Sequence, residues 1–396
     1  MVLLGAPAGL SRSIIRYMNE TTLPYRAWAE IDARALRHNI ALITRRFAGD
    51  LNRIMAVVKA DAYGHGVENV VPLSLAAGVR RFAVATPAEG ARVRQLAPAA
   101  KIYLLTAAAW FEAAEIVEQG LVCMVSDVEA GQAVAAAACD RGVVADIHVD
   151  VDTGIGRAGA QPSETAALFT GLGNVRGVRV TGIATHFANA DEDPADAAQQ
   201  HAIFLKVLSD LGPKAAGLEI HSSNSPAAVV LGAQGLHSLI RPGLLLYGVE
   251  PEPGMFADLA FEPVMSLRAR VLLCRDLPGG STISYGRTYR VPAEGGRYAT
   301  IGIGYGDGWS RRFSNAGTVL IRGSHAPICG RICMDQLVVD VTRIAGAGVG
   351  DVATILGSDG AASLTAGGLA VSISATPHEI TTCLLPRVPR FVIDTP

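Results

Sequence analysis

A lysine closes the run Ile54-Met55-Ala56-Val57-Val58-Lys59, and the chain then breaks into Ala60-Asp61-Ala62-Tyr63-Gly64-His65-Gly66. The apolar run has the length and texture of a strand buried on both faces. An ammonium group is almost never fully buried without a partner. A lysine snorkelling at a strand end is the commonplace reading. The other reading is chemical. Apolar walls lower a lysine pKa from about 10.4, and the neutral amine is a nucleophile. Such an amine bonds to an aldehyde, which is how enzymes anchor pyridoxal phosphate.

Other stretches carry groups that this chemistry would need. Ser222-Ser223-Asn224-Ser225 precedes a helix, and Arg241-Pro242-Gly243-Leu244 follows the last of a series of strands. A helix N-terminus aims N–H groups at an anion, although a plain N-cap accounts for Ser225 equally well. Arg241 is permanently charged, and a structural ion pair is its ordinary role. His186 and Tyr285 each follow an apolar run. Taken alone, the first reads as a satisfied core histidine and the second as a packed ring.

The elements that must position these residues alternate. Expected strands are Ile54–Val58, Arg81–Ala85, Ile102–Leu105, Val122–Val125, Ala145–Val149, Val180–Thr185, Leu218–His221 and Leu236–Ile240. Helices are expected between them, at Val67–Ala77, Pro87–Leu96, Ala109–Glu118, Val128–Cys139, Glu164–Leu172, Pro194–Leu211 and Ser225–Leu231. Trp28–Asp32 alternates like a further strand, and Asp32 caps a helix over Ala33–Phe47. The class is α/β. A doubly wound sheet shares this alternation, but functional side chains after many different strands point to a (β/α)8 TIM barrel. After about residue 262 Gly/Pro-punctuated runs of Val, Ile, Thr and Leu replace helical periodicity, as in a mostly β domain. The expected division is an N-terminal extension over 1–24, a barrel over 25–262 and a β domain over 263–396.

At 396 residues, half of them hydrophobic and 18% charged, the chain suits two globular domains. A net charge of −2 leaves no footprint for nucleic acid or an anionic membrane. No run reaches the roughly 18–20 apolar residues of a membrane span, and the N-terminus lacks a signal-peptide pattern. The six cysteines are scattered, and Cys329 and Cys333 have no zinc-spaced companions, so no metal is expected. Reduced cysteines suit the cytoplasm.

Val57-Val58-Lys59-Ala60-Asp61-Ala62-Tyr63-Gly64-His65-Gly66 resembles the cofactor-lysine motif of the bacterial alanine racemases. Further blocks in the right order extend the resemblance from about Ala27 to Arg390. It implies a pyridoxal phosphate-dependent isomerase that interconverts L- and D-alanine and supplies D-alanine for peptidoglycan. By resemblance, Tyr63, Asn224, Ser225, Gly243 and Leu244 hold the cofactor phosphate, and Arg241 faces its pyridine nitrogen. His186, in Thr185-His186-Phe187-Ala188-Asn189-Ala190-Asp191, lies against the ring beside Arg241. Arg157, in Val151-Asp152-Thr153-Gly154-Ile155-Gly156-Arg157, donates to the cofactor phenolate oxygen and reaches the substrate.

The resemblance also implies a homodimer with shared sites. Lys59 is then the base on the D face, and Tyr285, in Ile283-Ser284-Tyr285-Gly286-Arg287, is the base on the L face. Met334 contacts the substrate carboxylate and Tyr305 lines the way in, both from the β domain with Tyr285. Two positions depart from the family pattern. Asp150 stands where many members carry a carbamylated lysine, and is expected to pair with Arg157 directly or through water. Pro386 stands where many have a tyrosine, which opens a serine or broad-specificity racemase as the alternative. A non-catalytic pyridoxal phosphate-binding protein and a barrel-plus-β decarboxylase are the more distant readings.

Overall fold

The computed structural model describes residues 23–235, 237–252 and 254–394. The extension expected over 1–24 therefore falls almost wholly outside the described residues, as does Leu236 of the last expected barrel strand. The strands in chain order begin with β1 (Ala27–Asp32), β2 (Met55–Val57), β3 (Arg81–Val84), β4 (Lys101–Ala107) and β5 (Leu121–Val125). They continue with β6 (Ala145–Val151), β7 (Val178–Thr185), β8 (Glu219–His221) and β9 (Met265–Leu277). The chain divides into two compact units: residues 37–63 with 70–246, and residues up to 36 with 64–69 and 247 onward.

In the first unit β2 to β8 form one parallel sheet in sequence order. Every residue of β2 and β5 is buried, as continuous apolar runs require when both faces are covered. Helices follow the strands where expected. Thr86 caps Pro87–Leu96, and Asp193 caps Pro194–Leu211, each with proline at the first turn. The eighth expected strand is reduced to a short segment around Ile240, which bridges Ile54 in parallel. Leu239 N–H donates to Ile220 O (3.1 Å) and Arg241 N–H to Ser223 O (3.0 Å) on one side. On the other, Ile240 N–H donates to Arg53 O (2.9 Å), and Met55 N–H to Ile240 O (2.9 Å). This segment joins both ends of the sheet and closes it into a barrel, which a doubly wound sheet never does.

In the second unit β9 spans 13 residues, and Met265, Leu267, Ala269 and Val271 point inward with the period of a half-buried strand. Later strands include β10 (Thr282–Ile283), β11 (Tyr289–Arg290), β12 (Gly296–Ile301), β13 (Thr318–Ile321) and β14 (Ser324–Pro327). They end with β15 (Leu337–Asp340), β16 (Val352–Asp359), β17 (Ala362–Leu364) and β18 (Arg390–Ile393). The main sheet runs β14-β13-β16-β9-β1-β18. β1, which the division by residue number groups with the barrel, pairs antiparallel with β9 and parallel with β18. Two short helices, Ala366–Ser372 and Pro377–Thr382, were not anticipated; at seven and six residues they are too short to display a helical period.

Gly64 has φ +80°, and a Cβ there would stand 1.9 Å from Thr381 O. Gly64→Ala is expected to destabilise the protein by about 2–4 kcal/mol through left-handed strain and overpacking, measured by denaturant unfolding.

Candidate active site

Lys59 follows β2 and opens a turn of the wrong hand. Ala60 (φ 51°, ψ 52°), Asp61 (54°, 47°) and Ala62 (56°, 51°) are all left-handed, and Tyr63 follows with φ 54°. Each such non-glycine residue costs about 1–2 kcal/mol, so four store about 4–8 kcal/mol. What this gains is placement. Positions four apart share a face of a helical turn, so Lys59 and Tyr63 project together. The Tyr63 ring is buried, and its oxygen would stand 2.4 Å from any Cβ at position 243, which explains Gly243. Ser225 Oγ accepts N–H bonds from Gly243 (3.0 Å) and Leu245 (3.2 Å), while Asn224 Oδ1 caps the next helix through Ala227 N–H (3.0 Å).

Arg241 is 4% exposed, and no carboxylate among the described residues forms an ion pair with it. Its Nη1 donates to His221 Nδ1 (2.8 Å) and His221 O (2.9 Å). Its Nη2 donates to Thr185 O and Ser222 O (both 2.9 Å) and stands 3.4 Å from His186 Nδ1. A guanidinium has five N–H groups. The four on Nη1 and Nη2 are thus taken up, and Nε–H has no acceptor among the described residues. Burial lowers the Arg241 pKa to about 10, with Asp150 opposing and Arg157 assisting, so the cation persists at neutral pH.

Behind Arg241 lies a chain that sequence reading missed. His221 Nε2 meets His148 Nδ1 at 2.9 Å, and His148 Nε2 stands 3.3 Å from Glu219 Oε2. Glu219 Oε2 also accepts from Lys101 Nζ (2.8 Å) and Tyr103 OH (2.9 Å). One proton pattern fits. Arg241 can only donate, so His221 Nδ1 accepts and its Nε2–H donates to His148 Nδ1; His148 then presents Nε2–H to the carboxylate. Both imidazoles are neutral in that pattern, and burial lowers both their pKa values. Burial alone would raise Glu219; the hydrogen bonds from His148, Lys101 and Tyr103, with the Lys101 charge, override it and hold the carboxylate at about 2. The missed signal was a histidine within each of two barrel strand sequences, His148 in β6 and His221 in β8, both fully buried.

Burial lowers the Lys59 pKa, helped by Arg157 and Arg241 and opposed by Glu89. Burial likewise takes His186 well below the usual imidazole range, with Arg241, Arg157 and Lys59 reinforcing it. Lys59, Arg157, His186, Asn224, Ser225, Arg241, Gly243 and Leu244 all follow the C-terminal ends of barrel strands, where TIM barrels do their chemistry. The expected direct pairing of Asp150 with Arg157 does not occur: no ion pair joins them among the described residues. Arg157 stands exposed on the loop whose turn Asp152 Oδ1 caps through Gly154 and Gly156 N–H. Burial raises the Asp150 pKa to about 6, only partly offset by Arg241 and Arg157.

Tyr285, Tyr305 and Met334 are gathered in the second unit. Tyr305 N–H donates to Cys333 O (3.1 Å), Gly306 N–H to Met334 O (2.7 Å), and Ser284 Oγ to Arg331 O. Their side chains are 70%, 42% and 51% exposed.

The family models for the alanine racemase N-terminal domain and C-terminal domain match residues 31–251 and 264–392. The chain belongs to the alanine racemase family. It is accordingly an isomerase of the racemase class, and the family is pyridoxal phosphate-dependent. The alanine racemase of Halothermothrix orenii is 36% identical over 365 residues, 92% of this chain and 96% of that one. That of Desulforamulus reducens is 37% identical over 369 residues, 92% and 98%. Among solved structures, the alanine racemase of D-cycloserine-producing Streptomyces lavendulae has a TM-score of 0.86 at 34% identity, covering 94% of this chain and 98% of its own. The Bartonella henselae enzyme, solved with covalently bound pyridoxal phosphate, has a TM-score of 0.82 at 28% identity, covering 93% and 100%.

The raised Asp150 pKa has a sign that can be checked. An ionised Asp150 disfavours the folded state above its folded pKa, and the penalty fades as pH falls toward the unfolded value. Asp150→Asn is therefore expected to raise the thermal midpoint, with a gain that grows from about pH 4 to about pH 6 and is constant above. Calorimetry across that range checks it.

Proposed function

We propose that the chain is a pyridoxal phosphate-dependent alanine racemase that uses two bases, Lys59 of one subunit and Tyr285 of the partner subunit. The observation that carries the reading is Arg241: buried, charged, and with Nε–H as its one uncommitted donor. That donor suits the pyridine nitrogen of the cofactor, which accepts a hydrogen bond only while unprotonated. The pocket fits the rest of the molecule. Gly243 lets the Tyr63 hydroxyl approach the backbone beside Ser225 and Leu244, and the cations Arg157 and Arg241 favour an anionic ligand.

The bound cofactor supplies an electron-accepting ring that acidifies Cα–H of the amino acid. The chain's residues do the remainder. A depressed pKa lets Lys59 bond as a neutral amine and later take or return a proton on the D face. Arg241 keeps its charge and would leave the pyridine nitrogen unprotonated, so the ring would supply a weaker electron sink. That favours simple proton exchange over side reactions. Neutral His186, beside Arg241, would lie against the ring, and Arg157 would hold the phenolate oxygen and the substrate carboxylate. On the opposite face the partner's Tyr285 takes or returns the proton, with the partner's Met334 and the partner's Tyr305 bounding the substrate.

The exposure of Tyr285, Tyr305 and Met334 supports a homodimer, because a catalytic tyrosine and a thioether left in water would lack any substrate to meet. All six cysteines are free thiols, as in a reducing cytoplasm, and D-alanine made there would enter cell-wall synthesis. A broader racemase is the second reading. Pro386 is exposed and brings no hydroxyl, so a larger side chain than methyl meets less obstruction.

Two measurements test these readings. Mixing Lys59→Ala dimers with Tyr285→Ala dimers should restore about a quarter of wild-type activity, since half the dimers are hybrid and each holds one intact site. No recovery after verified subunit exchange would place both bases in one chain. Proton exchange at Cα in D2O, followed by NMR, should be confined largely to alanine, with D-alanine appearing from L-alanine. Equal exchange with serine or lysine would establish the broader racemase, and no exchange at all would defeat both.

A further inference from the structure

The left-handed turn that carries Lys59 is strained, and something must hold it. Glu89 sits in the first turn of the helix Pro87–Leu96, three residues after its N-cap Thr86. In a capping box a glutamate here reaches back to the N–H of its own N-cap. Glu89 does not. Its Oε2 accepts from Ala85 N–H (2.8 Å) at the end of β3, and its Oε1 accepts from Ala60 N–H (2.7 Å). Ala60 is the first residue of the left-handed turn and the neighbour of Lys59. Both distances lie in the range of charge-assisted bonds. One carboxylate thus joins the ends of two adjacent barrel strands at the point where the chain reverses its hand.

The alternatives are weaker. The helix is already capped by Thr86 Oγ1, which accepts from Glu89 N–H (3.2 Å), so the carboxylate is not needed for that. Lys59 is faced by the cations Arg157 and Arg241, and Glu89 is the carboxylate that opposes them. We propose that Glu89 is a positioning residue for Lys59, pinning the N–H that begins the left-handed turn and so fixing where the lysine amine meets the cofactor aldehyde. The inference rests on Lys59 being the cofactor lysine, as argued above.

The test uses the full chain, stripped of cofactor and reloaded with pyridoxal phosphate at a series of pH values. The Lys59 amine bonds to the aldehyde carbon with loss of water. Borohydride then reduces the C=N bond, and the adduct is located and counted by peptide mass. In Glu89→Gln one N–H faces an amide NH2 and the negative charge is gone. The plateau loading rate is expected to fall about tenfold, and the pH midpoint for loading to move down, because an anion no longer favours the ammonium form. Glu89→Asp keeps the charge but is too short to span both N–H groups, so its midpoint should stay while its plateau falls. Thr86→Ala should lower the melting temperature and leave loading unchanged. Wild-type plateau and midpoint in Glu89→Gln, with only the melting temperature reduced, would overturn the proposal. Should that variant fail to fold, a wild-type plateau in Glu89→Asp overturns it equally. Loading of the unmodified chain at a residue other than Lys59 would defeat the cofactor assignment itself, and the proposal with it.

Discussion

The site depends on burying a guanidinium that no carboxylate among the described residues pairs with. A lone buried cation is expensive, and an ion pair is the usual relief. Arg241 is relieved otherwise, by three backbone carbonyls and an imidazole nitrogen, all held by strand ends that the closed barrel keeps in register. A carboxylate would have neutralised the charge and covered the fifth N–H. Carbonyl oxygens and His221 leave both available. Asp150 opposes the burial from a distance, and the histidine chain behind Arg241 ends on the Glu219 carboxylate.

Barrel closure and turn strain follow from that arrangement. The segment that carries Arg241 is the same one that hydrogen-bonds to both β2 and β8, so the cation and the closure are one feature of the chain. Lys59 leaves β2 beside it. Both right-handed helix and continued strand would point Tyr63 elsewhere, so the turn takes the left-handed form at a cost the surrounding hydrogen bonds must meet. Strain of this kind persists where neighbours over-determine the geometry.

Most of the barrel was legible because its strands are apolar runs and its helices carry caps that sequence displays, such as Thr86 and Asp193. The residues after strand ends were legible too, since lysine, arginine and histidine stand out against apolar flanks. The short helices after residue 365 were not, being below the length at which a period shows. Nor was the Arg241–His221–His148–Glu219 chain. Its members lie 20, 73 and 71 residues apart in sequence, and only barrel closure brings them into line. At Asp150 the charge was legible, but the exposure of the Arg157 loop, which leaves the two without a direct ion pair among the described residues, was not.

The pairing of β1 bears on how the chain is made. Its partners are β9, more than two hundred residues later, and β18 at the far end, Ala29 opposite Arg390. The barrel strands leave the ribosome as near neighbours that pair in order, and they need nothing downstream of residue 246. β1 is synthesised before all of them, and its N–H and C=O groups wait on one edge for β9 and on the other for β18, more than a hundred residues later still. Trp28, Ala29 and Ile31, on both faces of β1, are fully buried in the finished sheet, so they stay exposed apolar surface until its partners arrive. Truncation by even the final strand would leave that first strand with one edge permanently bare.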